Sequence, residues 1–108
     1  MRTALLAAGA ALMLAAVPAA AQQKSIKIGF GSTFSGPTAV IGNNMRDSFE
    51  LALDHLGHKM GGLPVEVVYE DDAIKPETGR QKTETLIESD KVDFITGYIW
   101  SNVLLASL

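Results

Sequence analysis

Tyr98-Ile99-Trp100-Ser101-Asn102 is the stretch whose residue types offer the most chemistry. A hydroxyl and a carboxamide follow two aromatic rings, and the apolar run Val103-Leu104-Leu105 behind them reads as the first turns of a helix. A helix start of this kind presents unpaired N–H groups and the positive end of the helix dipole to an anion. Ser101 can add a donor there, and Trp100 or Tyr98 an aromatic wall. The alternative is an ordinary serine cap beside a buried tryptophan, and spacing alone leaves the two readings level.

Three other constellations lead less far. Asp71-Asp72 could place a general base at a strand end, but adjacent strand residues point to opposite faces and do not easily serve one proton. Capping the turn at Ile74-Lys75-Pro76 suits aspartate better. His55 and His58 have helical spacing for a metal, yet no third ligand lies near in sequence, and histidine is ordinarily favoured at a helix C-terminus. Gly29-Phe30-Gly31 follows a strand, as in a dinucleotide fingerprint, but Phe34 stands where the third glycine belongs and some residues of loop precede the helix. The sequence has no cysteine, which removes thiol catalysis, disulfides and thiolate metal sites together. Nothing pairs a nucleophile with a base. No catalytic residue, metal or cofactor is therefore expected.

These residues need elements to hold them. The chain has 108 residues and a net charge of −3, without basic clusters, so it carries no electrostatic footprint for nucleic acid. Ala4–Ala21 is uncharged, follows Arg2, and ends in Pro18-Ala19-Ala20-Ala21; these are the parts of a secretory signal peptide cleaved after Ala21. A retained membrane anchor is the rival, but 10 of those 18 residues are alanine and Pro18 interrupts the end. Residues 1–21 are thus expected to be a signal peptide and residues 22–108 one small exported domain.

Within that domain, Ile26, Ile28 and Phe30 alternate as one face of a strand. Gly36-Pro37 breaks it. A helix is expected from Asn43 or Asn44, with Met45, Phe49, Ala52, Leu53 and Leu56 at helical spacing, ended by Gly57 and Gly61-Gly62. A second strand runs over Leu63–Glu70. Pro76 opens a second helix whose Thr83, Leu86, Ile87 and Gly79 face inward; the glycine weakens that helix by about 1 kcal/mol unless its packing compensates. A third strand covers Val92–Gly97, and the last helix starts at Ser101-Asn102. The order β-α-β-α-β-α predicts an α/β fold, the start of a doubly wound parallel sheet with helices on both faces. Three strands leave a sheet edge open and a small core, so residues 22–108 read as the beginning of a larger protein.

Taken as a set, these segments resemble a known family. Ile26-Lys27-Ile28-Gly29 leading to Phe34-Ser35-Gly36-Pro37-Thr38-Ala39-Val40-Ile41-Gly42 is similar to the opening of the periplasmic leucine/isoleucine/valine-binding proteins, the type I substrate-binding proteins of ABC transporters. Gly61-Gly62-Leu63-Pro64-Val65-Glu66-Val67, Asp71-Asp72, Lys75-Pro76 and Gly97 before Ser101-Asn102 add to the likeness, which runs from about Ser25 to Leu108. The resemblance implies a two-lobe protein closing on a small ligand, of which residues 22–108 are an incomplete N-terminal lobe. It places Ser101 and Asn102 on the ligand carboxylate, and Phe34 and Ile41 in the wall supplied by the first loop. Trp100 stands where amino-acid binders of the family usually have a small polar residue, and with Leu104-Leu105 it is closer to the branch taking up aromatic or other organic acids. The implied role is a periplasmic solute-binding component that hands its ligand to an ABC transporter membrane permease. A sensor or receptor domain of the same fold, and an enzyme using Asp71 or Asp72, are the alternatives.

Overall fold

The structure, a computed structural model, describes residues 24–108, and the expected signal peptide lies outside them. Seven elements follow one another: β1 (Ile26–Ser32), α1 (Ala39–His55), β2 (Lys59–Met60), β3 (Leu63–Asp71), α2 (Pro76–Glu88), β4 (Phe94–Thr96) and α3 (Ser101–Ser107). The sheet order is β2-β3-β1-β4, with β1 central and parallel to both β3 and β4. This is the doubly wound α/β arrangement expected from the alternation of elements.

The period of two in β1 sorts the helices onto the two faces. Ile28 and Phe30, both buried, stand in register with Val67 and Tyr69, and this face receives α1 through Phe30 against Phe49. The position between them is Gly29, because the other face carries α2. A Cβ at Gly29 would lie 2.9 Å from Leu86, the fully buried leucine of α2. α3 packs beside α2 on this face, with Val103 fully buried over Gly79. The glycine inside α2 is thus explained by close approach of a neighbouring helix.

Several boundaries depart from expectation. α1 begins at Ala39, not at Asn43 or Asn44, both of which lie inside it. The turn at Gly36 and Pro37 runs straight into the helix through Ala39 N–H to Gly36 O and Ile41 N–H to Thr38 O. Val40 and Ile41 are exposed there, so the apolar stripe that marks the rest of the helix does not extend to its start. Leu56 is also exposed and lies just past the helix, whose end is a paired-bond motif: His58 N–H to Leu53 O and Gly57 N–H to Asp54 O. His58 therefore lies off the helix, with Nε2 2.7 Å from Asp54 Oδ1, and does not share helical spacing with His55. Among the described residues no group of three potential ligands gathers around a metal position.

β2 was not expected. Gly61 and Gly62 both have positive φ, 56° and 79°, and form the two-residue turn of a hairpin pairing Met60 with Leu63 and Lys59 with Pro64. That turn type matches strand twist, and Gly-Gly before an alternating run is its sequence signal. β4 is three residues long, shorter than Val92–Gly97, because Asp93 ends the preceding loop with its side chain. Its Oδ2 accepts from Lys27 N–H at 2.9 Å while its own N–H donates to Lys27 O at 2.7 Å. Ile87, expected inward, is 53% exposed, while Gly79, Thr83 and Leu86 are buried as expected.

Candidate functional site

Three loops follow the carboxyl ends of β1, β3 and β4, the edge at which open parallel sheets receive ligands. One hydroxyl joins all three. Thr33, after β1, donates from Oγ1 to Asp72 Oδ1 after β3, at 2.6 Å, and accepts from Trp100 Nε1 after β4, at 3.1 Å. Thr33 is fully buried and Asp72 is 2% exposed. Asp72 Oδ1 also accepts from Ile74 N–H at 2.9 Å, closing the turn that leads to Pro76. Its neighbour Asp71 points the other way, as strand alternation requires, and its Oδ1 accepts from Phe34 N–H at 2.9 Å and Ala73 N–H at 3.0 Å. The two aspartates therefore bind the first loop to the second in separate directions. The Oδ1 of each is occupied with backbone or threonine donors, the turn-holding role expected of them, while Asp72 Oδ2 is buried without a hydrogen-bond partner.

Behind the first loop stands an aromatic cluster. Phe34 meets the edge of Tyr69 at 6.0 Å between centroids and lies 6.4 Å from Phe30, which in turn contacts Phe49 and Tyr69. Arg46, on α1, places its guanidinium 5.5 Å above the Phe34 ring, within cation–π range. The Tyr69 hydroxyl donates to Glu50, and burial together with that carboxylate pushes the phenol well above its ordinary value. Arg46 was not among the residues singled out from sequence. Twelve positions separate it from Phe34, and only the packing of α1 brings them together.

The structure distributes the six expected site residues unevenly. Trp100 is half-buried and tied to the first loop at Thr33, the residue before Phe34. Ser101 and Asn102 are exposed at the start of α3. Ser101 is the first helical residue, not the cap; Trp100 holds the cap position in an extended conformation, and no side chain caps the helix. Ile41 lines an open groove of about 640 Å³ between α1 and β4, with Phe30, Met45, Phe49, Thr96 and Gly97. Tyr98 goes to the opposite face. Its ring lies 3.6 Å from the position of a Cβ on Gly31, and its hydroxyl hydrogen-bonds Thr83 of α2. Gly97, with φ 102°, makes the turn that sends consecutive aromatics apart: a Cβ there would lie 2.7 Å from the Phe30 ring. Of the two rings that could offer an aromatic wall, the turn at Gly97 sends Tyr98 into the helix layer and leaves Trp100 at the loop edge with Phe34, Ser101 and Asn102.

Asp71 gives this edge a pH dependence. Burial raises its pKa, but hydrogen bonds from the Ser35 side chain and from the N–H groups of Phe34, Ala73 and Ser35 outweigh it and hold the carboxyl below its ordinary value. A carboxyl depressed by folding contributes stability that is present above its unfolded pKa, near 4, and is lost as pH falls through the folded value. Acid unfolding of the wild-type chain is expected to steepen below about pH 4, and Asp71→Asn, which retains an acceptor but no charge, should flatten that limb. Urea midpoints measured across this range would show it; superimposable acid limbs would rule out Asp71 as their source.

Residues 25–108 match the family described as periplasmic binding protein. A Leu/Ile/Val-binding protein homologue from Brucella abortus is 30% identical over 83 residues, which are 76% of this chain and 21% of that protein. The solved ABC transporter substrate-binding protein from Sphaerobacter thermophilus is 43% identical, with a TM-score of 0.73 over 77% of this chain and 22% of its own. The solute-binding protein of an ABC transporter from R. palustris, solved in complex with benzoate, is 31% identical, with a TM-score of 0.74 over 78% of this chain and 23% of its own. The chain thus spans about a fifth of the length of the relatives it matches.

Proposed function

Since the chain belongs to the periplasmic binding protein family, we propose that residues 22–108 form the ligand-receiving edge of the first lobe of a solute-binding protein serving an ABC importer in the periplasm. The ligand is a small organic carboxylate. The observation that carries this reading is the joining of three strand-end loops through Thr33, which leaves Ser101 and Asn102 exposed on the same edge beside the Trp100 ring. Ser101 donates to the carboxylate. Asn102 adds a second donor, and the first N–H groups of α3 face the same charge. Trp100 and Phe34 supply the aromatic surface, and Ile41 continues it toward α1. A second lobe closes over the ligand, and a membrane permease accepts it. An aromatic acid fits this edge better than a branched aliphatic amino acid, because a flat ring stacks on an indole. The benzoate-bound relative supports that choice.

Titration of the native protein with benzoate and with leucine tests the reading. Benzoate is expected to bind more tightly than leucine. Ser101→Ala should weaken benzoate by about tenfold to a hundredfold, the cost of one hydrogen bond to a charged group. Unchanged affinity in that variant would remove Ser101 from the site. Binding of neither probe would remove this ligand class.

A further inference from the structure

We propose that Thr33 is a positioning residue for ligand recognition: locked by the buried Asp72, it fixes the indole of Trp100 as the wall that receives a planar ring. This rests on the functional reading above and adds to it the residues that set its specificity.

The order of donors carries the inference. An indole N–H is donor only, and a threonine hydroxyl has one proton and two acceptor positions. The Thr33 proton is committed to Asp72 Oδ1 at 2.6 Å, so only lone pairs remain for the indole, which points its N–H at them from 3.1 Å. The bonds therefore run one way, from Trp100 to Thr33 to Asp72, and successive bonds in such a chain polarise one another. The terminal acceptor is itself held: Ile74 N–H fixes Asp72 Oδ1, and Asp72 N–H donates to Ser32 O at the end of β1. Thr33 is 0% exposed and Trp100 is half-buried. The polar end of the indole is thus anchored on a buried hydroxyl, while the residue as a whole stays partly exposed at the loop edge. A wall with a fixed plane favours a flat ligand over a branched one, because the ring surface need not be ordered on binding.

Trp100 is the only tryptophan among these 108 residues, and subtracting the emission of a Trp100→Phe variant isolates this one indole in the protein. Thr33→Val keeps the shape of the side chain and removes the acceptor; Thr33→Ser keeps the acceptor. In the full chain without ligand, Thr33→Val is expected to shift indole emission to the red and raise its quenching by acrylamide, while Thr33→Ser stays at the wild-type values. Benzoate affinity should fall about fivefold in Thr33→Val, as for one neutral hydrogen bond, and leucine affinity less. A purely structural role for Thr33 would lower the melting temperature and leave the indole signals of the folded protein unchanged. That result, or a Thr33→Ser variant behaving like Thr33→Val, overturns the proposal. If Thr33→Val does not fold, the wild-type indole N–H decides: slow hydrogen exchange supports the bond to Thr33, and exchange as fast as free indole overturns it. If the wild type binds neither benzoate nor leucine, the functional reading falls, and the indole signals alone judge the positioning.

Discussion

Gly42→Ala is expected to lower the stability of the folded chain by about 3 kcal/mol or more, the upper range for overpacking a site that cannot relax. A Cβ at residue 42 would stand 1.9 Å from the carbonyl oxygen of Thr33 and 2.8 Å from its carbonyl carbon. Both are backbone atoms, so no rotamer change relieves the contact; the first loop or α1 must move as a whole. Alanine is intrinsically favoured over glycine inside a helix by about 1 kcal/mol, which is too small to reverse the sign. The displaced residue is also the one that joins the three loops. Any folded fraction of Gly42→Ala should therefore show the indole of Trp100 loosened, with red-shifted emission, as well as a lowered urea midpoint. A variant with wild-type midpoint and emission would mean that α1 does not approach Thr33 this closely.

Gly42 also shows what could be read from the sequence and what could not. The order of strands and helices was legible because it rests on local periodicity: Ile26, Ile28 and Phe30 alternate, and Gly79, Thr83 and Leu86 recur at helical spacing and are buried. The first turn of α1 was not legible, because Val40 and Ile41 point away from the core and Gly42 is required by a carbonyl nine residues back along the chain. β2 was hidden by brevity, although Gly61-Gly62 carried a hairpin signal. At the loop edge, the residue types of Trp100, Ser101 and Asn102 drew attention to a site, and Asp71-Asp72 to a turn. Their connection through Thr33 spans separations of 39 and 67 residues, and no local pattern encodes a contact of that kind. Tyr98 illustrates the same limit. It stands two residues before Trp100, yet the positive φ of Gly97 and the bond to Thr83 turn it into the helix layer.

Gly79→Val is expected to cost about 3 kcal/mol or more, because it places a branched side chain where even one carbon does not fit. A Cβ at residue 79 would lie 2.4 Å from Val103 Cγ1, and Val103 is completely buried. Valine in a helix has essentially one rotamer, so Val103 cannot swing aside, and α3 must shift away from α2. That helix begins at Ser101. Loss of stability and loss of carboxylate binding should therefore appear together, whereas a cavity-forming change such as Val103→Ala should lower stability with a smaller effect on binding. Gly79→Ala is the milder form, at about 2 kcal/mol after the gain in helix propensity is allowed for. It provides the sharper test, because the clash has a single named partner. Gly79→Ala combined with Val103→Ala should be more stable than the sum of the two single changes by about 1 kcal/mol, the alanine methyl filling part of the space the valine vacates. Strict additivity in that cycle would show that α2 and α3 are not in contact at Gly79, and that the position of Ser101 is set by some other part of the chain.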